Sequence, residues 1–316
     1  MSMFKETFDF YDASNLKSYN LDSYMQYQLA MLERLDPFTR KHSENVANLV
    51  CRMCEYLHCK KGFTVHATIC GYLHDIGKLF IPYEILGKPG TLTPEEFEIM
   101  KKHTTYGYDM CMKDVRLRPY AEGALYHHEA LNGTGYPQGL TKKDIPYVAQ
   151  IIRVADEYDA IVTNRQYKTH INISETLREL IKDATPEEYI KTVALDMISE
   201  HSKDGKINAV ALRALFKVVI DDTYYEISGV EDYIVYLKQQ VKRLQTIQKY
   251  AQKADNAKKD KDKDYYHEGM RLLFAHGETF QNYQTVLAEY QEAIQKREEH
   301  RQKLYDEIKI IKKLRV

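Results

Sequence analysis

The amino-acid sequence predicts an all-α protein, a helical bundle followed by a C-terminal helical arm. Apolar residues recur every three or four positions along much of the 316 residues, which is the period of an amphipathic helix. Helix start signals are frequent, and the clearest is Thr93-Pro94-Glu95-Glu96, a capping box with proline at the first helical position. Short runs of Val, Ile and Thr between turn signals, which would predict strands, are scarce.

The charge balance and the absence of targeting patterns limit the classes of function. The chain carries 45 Lys and Arg residues against 46 Asp and Glu residues, which indicates neither a nucleic-acid polymer nor a membrane surface as partner. The first residues lack the pattern of a secretion signal, and no run approaches about 18 apolar residues. We therefore expect no DNA or RNA partner, no membrane span and a cytoplasmic location with reduced cysteines.

Composition and helix signals divide the chain into three segments. Residues 1–30 are expected to form a leader helix, rich in Tyr and Leu without one clean period. Residues 31–228 contain the strongest apolar periods and are expected to form the catalytic domain. Residues 229–316 shift to Lys, Gln, Glu and Tyr, and they are expected to form a separate helical region.

Three apolar helices of the middle segment carry polar residues that need an explanation. The first begins at Pro37 and carries His42 on the approach to its apolar stripe. The second, Ala67–Leu73, ends directly in His74 and Asp75, and Asp156 lies on the third. Burying a carboxylate costs several kcal/mol, of the order of ~3–5, unless a cation compensates it. These residues are therefore candidates for function.

The C-terminal segment contains a heptad-like ladder. The positions of this ladder are spaced alternately by three and four residues, and all are apolar except two arginines. They are Phe280, Tyr283, Leu287, Tyr290, Ile294, Arg297, Arg301, Leu304, Ile308 and Ile311. Residues 265–314 as one helix would span roughly 75 Å. This pattern is typical of a coiled-coil seam. It leaves open a hairpin that folds on itself or onto the catalytic domain, a coiled-coil homodimer, and an arm that binds a partner.

The stretch from His127 to Pro137 is the most informative part of the sequence. His127 and His128 are adjacent and are followed by Glu129, and a loop with Gly135, Tyr136 and Pro137 comes next. Adjacent helical side chains point about 100° apart, so both imidazoles reach one site only at a helix end or where the helix lines a pocket. The glycines and the proline support a helix end.

Polar residues on predicted helices suggest one buried centre with two metal ions. They are His42, His74, Asp75, His103, His127, His128 and Asp156. Histidine and carboxylate ligands without thiolate suit iron, manganese or similar divalent ions. Two such ions about 3.5–4 Å apart can clamp the attacking and leaving oxygens of a phosphoryl displacement and make hydroxide available at neutral pH.

On these residues the sequence resembles the HD phosphohydrolases and, more narrowly, their HD-GYP branch. His42, His74-Asp75 and Asp156 match the signature of the former, and His127-His128 with Gly135-Tyr136-Pro137 matches the latter. The resemblance covers about residues 30–220. It implies an HD-type helical bundle and a phosphodiesterase that uses a metal-bridging hydroxide to open cyclic di-GMP to the linear dinucleotide and further to GMP.

The resemblance also implies a role for each matching residue. One metal is held by His42, His74 and Asp156, Asp75 bridges, and the second metal is held by His103, His127 and His128. Lys78 assists the charge that develops in the transition state. Gly135 and Tyr136 shape the nucleotide pocket, Arg165 and Lys168 hold phosphates, and Glu129 orients a histidine.

The sequence departs from the family at two positions and leaves other functions open. Phe38 stands where some members have a glutamate for a third metal, so two metals are expected, and Gln166 stands where proline usually follows Arg165. The substrate could instead be another cyclic dinucleotide such as 3′,3′-cyclic GMP-AMP. A slow or degenerate sensor that signals through the coiled coil and a purely structural scaffold are the alternatives of another class.

Overall fold

The computed structural model describes residues 30, 37–166, 173–186 and 204–314, and these residues are almost entirely helical. Within these ranges the chain forms no β-strand, only an isolated bridge between Asn132 and Thr141. The predicted all-α class is therefore confirmed. The leader helix predicted for residues 1–30 lies outside the described residues except for Ala30, and Lys168 also lies outside them.

The α-helices of the described chain are numbered here in order. They are α1 (Pro37–Tyr56), α2 (Lys61–Leu73), α3 (Tyr83–Leu86), α4 (Pro94–Lys101), α5 (His103–Lys113), α6 (Ala121–Tyr126), α7 (Tyr147–Gln166), α8 (Ile173–Ala184), α9 (Ala209–Asp255), α10 (Asp260–Leu273) and α11 (Tyr283–Ile311). Short 3₁₀ helices cover Ile76–Phe80 and Arg118–Tyr120.

The chain divides into two units, one of Met1–Val219 with Leu314–Val316 and one of Ile220–Lys313. Gly229, where the composition changes, lies inside α9, so no helix ends there. The domain limits at 228 and 229 stay predictions.

The first unit is built around α1, which packs against α2 and α7. The apolar stripe of α1 includes Val46 and Val50, which are fully buried, and Ile151 of α7 is buried with them. Cys51 and Cys54 are buried on the same helix and form part of its apolar side. Because the stripe follows the helical period, the opposite side of α1 remains available to polar side chains.

The turn after α2 brings α5 close to the backbone. A Cβ atom at Gly77 would collide with the carbonyl oxygen of His103 and the amide nitrogen of Gly107. Only glycine therefore permits this approach. The close contact places the first residue of α5, His103, beside the segment that carries His74 and Asp75.

The second unit folds back on itself as an antiparallel helical hairpin. Leu244 and Ile247 of α9 pack in one apolar cluster with Tyr283 and Leu287 of α11. Further along, Lys238 Nζ lies 2.8 Å from Glu298 Oε1. Of the alternatives that the ladder left open, the one seen within this unit is the self-folded hairpin.

Residues 265–314 do not form one helix, which corrects the 75 Å estimate. Helix α10 ends at Leu273, and the chain turns through His276 (φ 51°) and Gly277 (φ 86°) before α11 begins. Arg243 secures this turn, since its Nη1 donates to the Leu273 carbonyl at 2.7 Å and its Nη2 lies 2.5 Å from Glu278 Oε1. A half-buried arginine that contacts both sides of the break in this way stabilises it.

Every helix within the described ranges is too short or too polar to cross a bilayer.

Removing a side chain from the hairpin core should destabilise the second unit. Leu244 is 0% exposed, so Leu244→Ala should lower the free energy of unfolding by about 2–5 kcal/mol through lost burial and a cavity. Leu272 is 80% exposed, so Leu272→Ala should change it by less than about 0.5 kcal/mol. Denaturant unfolding followed by circular dichroism measures both, and equal losses would contradict the hairpin packing.

Candidate metal centre

The structure brings the seven predicted metal ligands to one place, although they are distant along the chain. They come from α1 (His42), the end of α2 (His74 and Asp75), the start of α5 (His103), the end of α6 (His127 and His128) and α7 (Asp156). Three overlapping groups have their ligand atoms within 4.8 Å of one another: His42, His74 and Asp75; His103, His127 and His128; His74, His127 and Asp156. The predicted helix end at the histidine pair is confirmed, because α6 stops at Tyr126.

The first group centres on two carboxylates. His42 Nε2 lies 3.0 Å from Asp156 Oδ1 and 3.7 Å from Asp75 Oδ2. His74 Nε2 lies 3.3 Å from Asp75 Oδ2 and 3.8 Å from Asp156 Oδ1. Two imidazole nitrogens and two carboxylate oxygens thus face a common point, which is a suitable donor set for a divalent ion.

The second group meets the other oxygen of the same aspartate. His103 Nε2 and His127 Nε2 lie 3.5 Å and 3.9 Å from Asp75 Oδ1. His128 Nδ1 lies 3.9 Å from Asp156 Oδ2. Asp75 therefore presents one oxygen to each group, as a bridging ligand would.

Backbone carbonyls orient three of the imidazoles. The Nδ1–H groups of His74, His103 and His127 donate to the carbonyls of Gly71 (2.7 Å), Met100 (2.8 Å) and Ala124 (3.0 Å). These bonds place the proton on Nδ1 and leave a lone pair on each Nε2, directed inward. This is the orientation that metal-binding histidines usually have.

The inward nitrogens fit a cation. His103 Nε2 and His127 Nε2 face each other at 3.2 Å, and two lone pairs at this distance repel unless a proton or a cation lies between them. His74 Nε2 is buried and makes no hydrogen bond within the described chain. A buried nitrogen without a partner is costly, and a metal ion would satisfy it.

Charge in the site also fits metal binding. Burial lowers the pKa of His103, His127 and His128, so these imidazoles are neutral near pH 7, the form that binds metals. Burial opposes the charged form of His42 as well, but its hydrogen bonds with Asp156 and Asp159 outweigh burial and raise its pKa to about 10. A protonated His42 thus acts as counter-charge to the carboxylates when no other cation is present.

Lys78 lies next to the bridging carboxylate. Its Nζ is 2.6 Å from Asp75 Oδ2. Burial alone would raise the pKa of Asp75, but the charges of Lys78 and His74 outweigh burial and hold this pKa well below its usual range. Lys78 is therefore within reach of any charge that develops beside Asp75.

Asp159 and Asn45 complete the site, although the sequence did not single them out as site residues. His42 Nδ1 donates to Asp159 Oδ2 at 2.7 Å, and Asn45 Nδ2 donates to Asp159 Oδ1 at 3.0 Å. A carboxylate behind a ligand histidine fixes the ring and raises its basicity. The signal was present, because Asp159 follows Asp156 by three residues and so lies on the same helical face.

Glu129 holds the loop rather than a histidine, which differs from the expected role. It is buried, and its two carboxylate oxygens accept the backbone amides of Gln138 (2.6 Å) and Leu140 (2.8 Å). The loop so anchored carries Gly135 and Tyr136. The ring of Tyr136 stacks on His128, with the centroids 4.7 Å apart.

Arg153 is a second residue that the sequence did not indicate. Its Nη1 donates to the carbonyl of His128 at 2.8 Å, and its Nη2 lies 2.6 Å from Glu157 Oε1. Arg153 lies about one helical turn before Asp156, and its bond to the His128 carbonyl connects α7 to the histidine pair. The two cationic residues predicted to hold phosphates are not located at the site. Arg165 lies in α7, but its side chain is not described, and Lys168 lies outside the described residues.

Comparisons with known proteins agree with this geometry. Residues 26–190 match the model of the HD domain family. The chain is 44% identical over 150 residues to a protein of Thermotoga maritima named cyclic di-GMP phosphodiesterase, covering 47% of this chain and 41% of that protein. A cyclic di-GMP phosphodiesterase of Pseudomonas aeruginosa is 36% identical over 153 residues, covering 48% of this chain and 37% of that protein.

A third relative has a different named substrate. The 3′3′-cGAMP-specific phosphodiesterase 1 of Vibrio cholerae is 35% identical over 144 residues, covering 44% of this chain and 32% of that protein. The chain thus spans from a third to two fifths of the length of these curated relatives.

Removing the charge behind His42 should weaken metal binding. Asp159→Asn keeps the size of the side chain but loses the carboxylate that accepts from His42 Nδ1, so metal affinity should fall about 10–100-fold. Titration against a chromophoric chelator measures this affinity. Asp109→Asn, an exposed carboxylate on α5, is the matched control and should bind metal like the wild type. Equal affinity of Asp159→Asn and the control would show that Asp159 does not support a ligand.

Proposed function

Since the chain belongs to the HD domain family, in its HD-GYP branch, we propose that it is a phosphodiesterase that hydrolyses cyclic di-GMP. The products are the linear dinucleotide and, after a second cleavage, GMP. The names of the relatives and the His/Asp cluster support this proposal.

The observation that carries the proposal is the position of Asp75. Its two oxygens face separate histidine groups, at 3.3 Å from His74 Nε2 and 3.5 Å from His103 Nε2. We propose that two divalent ions, iron or manganese, bind on either side of this carboxylate. Bound there, they would supply Lewis-acid polarisation of the phosphodiester.

The residues of the chain orient the substrate and compensate its charge. Hydrolysis forms a bond between a water oxygen and phosphorus and breaks the bond to the ribose oxygen, which leaves with a proton. Lys78 is placed to offset negative charge that develops at the phosphate beside Asp75. Tyr136 borders the site next to His128, and Arg165 and Lys168 are proposed to hold the second phosphodiester.

A second candidate substrate has support of its own. A relative named as specific for 3′3′-cGAMP matches the chain at 35% identity over 144 residues, so that dinucleotide is the alternative. A sensor without turnover is disfavoured, because every expected ligand is present among the described residues.

The proposal also includes a homodimer through the C-terminal helical arm and a cytoplasmic location. A homodimer through the C-terminal helices would use exposed tyrosines such as Tyr225 and Tyr233, which are 58% and 44% exposed. The cytoplasmic location stays a prediction.

Metal-loaded protein should cleave cyclic di-GMP, and removing the bridging charge should abolish this. Asp75→Asn keeps the shape of the side chain but not the negative charge that two ions would share, so the rate should fall at least about a hundredfold. Product formation, followed by chromatography with iron or manganese present, measures the rate. Asp109→Asn serves again as control and should retain the wild-type rate.

Two outcomes would argue against parts of the proposal. Metal-replete wild type that cleaves no cyclic dinucleotide would overturn the enzymatic function. Side-by-side rates that favour 3′3′-cGAMP over cyclic di-GMP would replace the first substrate by the second.

A further inference from the structure

A row of rings leads from the metal centre to the surface. The ring of Tyr136 stacks on that of His128 at an interplanar angle of 27°, and it meets Phe97 edge-on, with centroids 6.2 Å apart and an angle of 81°. Phe97 is 44% exposed. The row therefore begins at a candidate metal ligand and ends at a ring that is open to solvent.

A lysine lies over the outer part of this row. Lys101 Nζ is 5.1 Å from the centroid of Phe97 and 5.7 Å from that of Tyr136. Its ion pair with Glu98 is 2.6 Å long, but the Glu98 side chain is 67% exposed. Exposed pairs contribute little stability, so Glu98 does not prevent Lys101 from contacting an incoming anion or base edge.

Helix α4, which carries Phe97 and Lys101, is stabilised at its start by a capping box and buries no side chain in the core. None of its eight described side chains is buried. Its start is secured by the capping box between Thr93 and Glu96 and by the Lys88–Glu96 pair at 2.6 Å. Helix α4 thus leaves Phe97 and Lys101 on the outside of the bundle, next to Tyr136.

We propose that Phe97 and Lys101, together with Tyr136, form a stacking wall that binds a nucleobase of the substrate beside the metal centre. Exposed aromatic rings stack on the π-face of a base, and a lysine ammonium can donate to O6 and N7 of guanine or attract the neighbouring phosphate. The inference rests on the proposed function and deepens it, because it assigns the base, as well as the phosphates, a contact with the chain.

Loss of the exposed ring should weaken binding and leave the chemistry intact. Phe97→Ala should raise the KM for cyclic di-GMP about 5–100-fold with kcat within about threefold and with unchanged metal content. Phe97→Trp should restore the KM, because it keeps a π-face, while Phe97→Leu should not. A Leu variant with the wild-type KM would show that Phe97 only supports Tyr136 by packing, and the stacking wall would be wrong.

The charge of Lys101 is tested separately. Lys101→Met keeps much of the apolar stem and removes the ammonium, so the KM should rise about 2–10-fold. The dependence of the KM on salt concentration should become weaker, because one attractive charge is lost. An unchanged KM and an unchanged salt dependence would exclude contact between Lys101 and the substrate.

A similar arrangement in the second unit provides the control. Phe280 is 39% exposed, meets Phe274 edge-on at 5.1 Å, and has the Arg271 guanidinium 5.7 Å from its centroid. Phe280→Ala therefore removes the same side chain in a similar setting, and it should leave the KM unchanged. An equal rise of the KM in this variant would contradict a specific role of Phe97.

Binding of GMP separates this inference from the proposed function. Calorimetry with wild type and Phe97→Ala should show GMP binding that is about 5–100-fold weaker in the variant. If the wild type cleaves cyclic di-GMP and Phe97→Ala has the same KM, the wall is wrong and the function stands. If the wild type cleaves no cyclic dinucleotide but binds GMP through Phe97, the proposed function is wrong and the stacking wall stands. If the wild type binds neither GMP nor cyclic di-GMP, both the function and the stacking wall are wrong.

Discussion

The interior position of one carboxylate, that of Asp75, governs the arrangement of the first unit. The residue is 2% exposed and carries its negative charge among four imidazoles and one ammonium. A buried charge is tolerated only when partners surround it, and here the partners come from helices that are far apart in sequence. The burial of this charge therefore depends on α1, the start of α5 and the end of α6 meeting at Asp75.

Five of the seven candidate ligands lie at helix ends, and the chain there also orients three of the rings. Three imidazoles donate to the carbonyl three residues earlier in the chain, for example His74 to Gly71, so each ring is aligned by the segment just before it. Such bonds need no partner that is distant in the sequence. His42 is aligned instead by Asp159 on a different helix. The site thus combines rings oriented locally with one ring that is oriented only after the bundle has assembled.

The sequence indicated the candidate ligands better than the residues that contact and orient them. His74 and Asp156 stood out because a polar group on an apolar helix requires compensation, and that requirement is visible without a structure. Asp159 and Arg153 did not stand out, since charged residues along a helix are common and only the fold shows what they reach. The helices were predicted from their period, but the break at Gly277 was not, because a period reports the buried face and not the point where a helix is interrupted.

The hairpin of the second unit has a consequence for self-association. Its apolar seam is already filled from within one chain, by Leu244 and Ile247 of α9 against Tyr283 and Leu287 of α11. A second molecule can enter that seam only if α11 is exchanged between copies, which would make the dimer interconvert with the monomer as slowly as the hairpin opens. A dimer formed through the outer tyrosines would instead exchange rapidly with the monomer and dissociate promptly on dilution. The rate at which dimers dissociate therefore distinguishes the two arrangements.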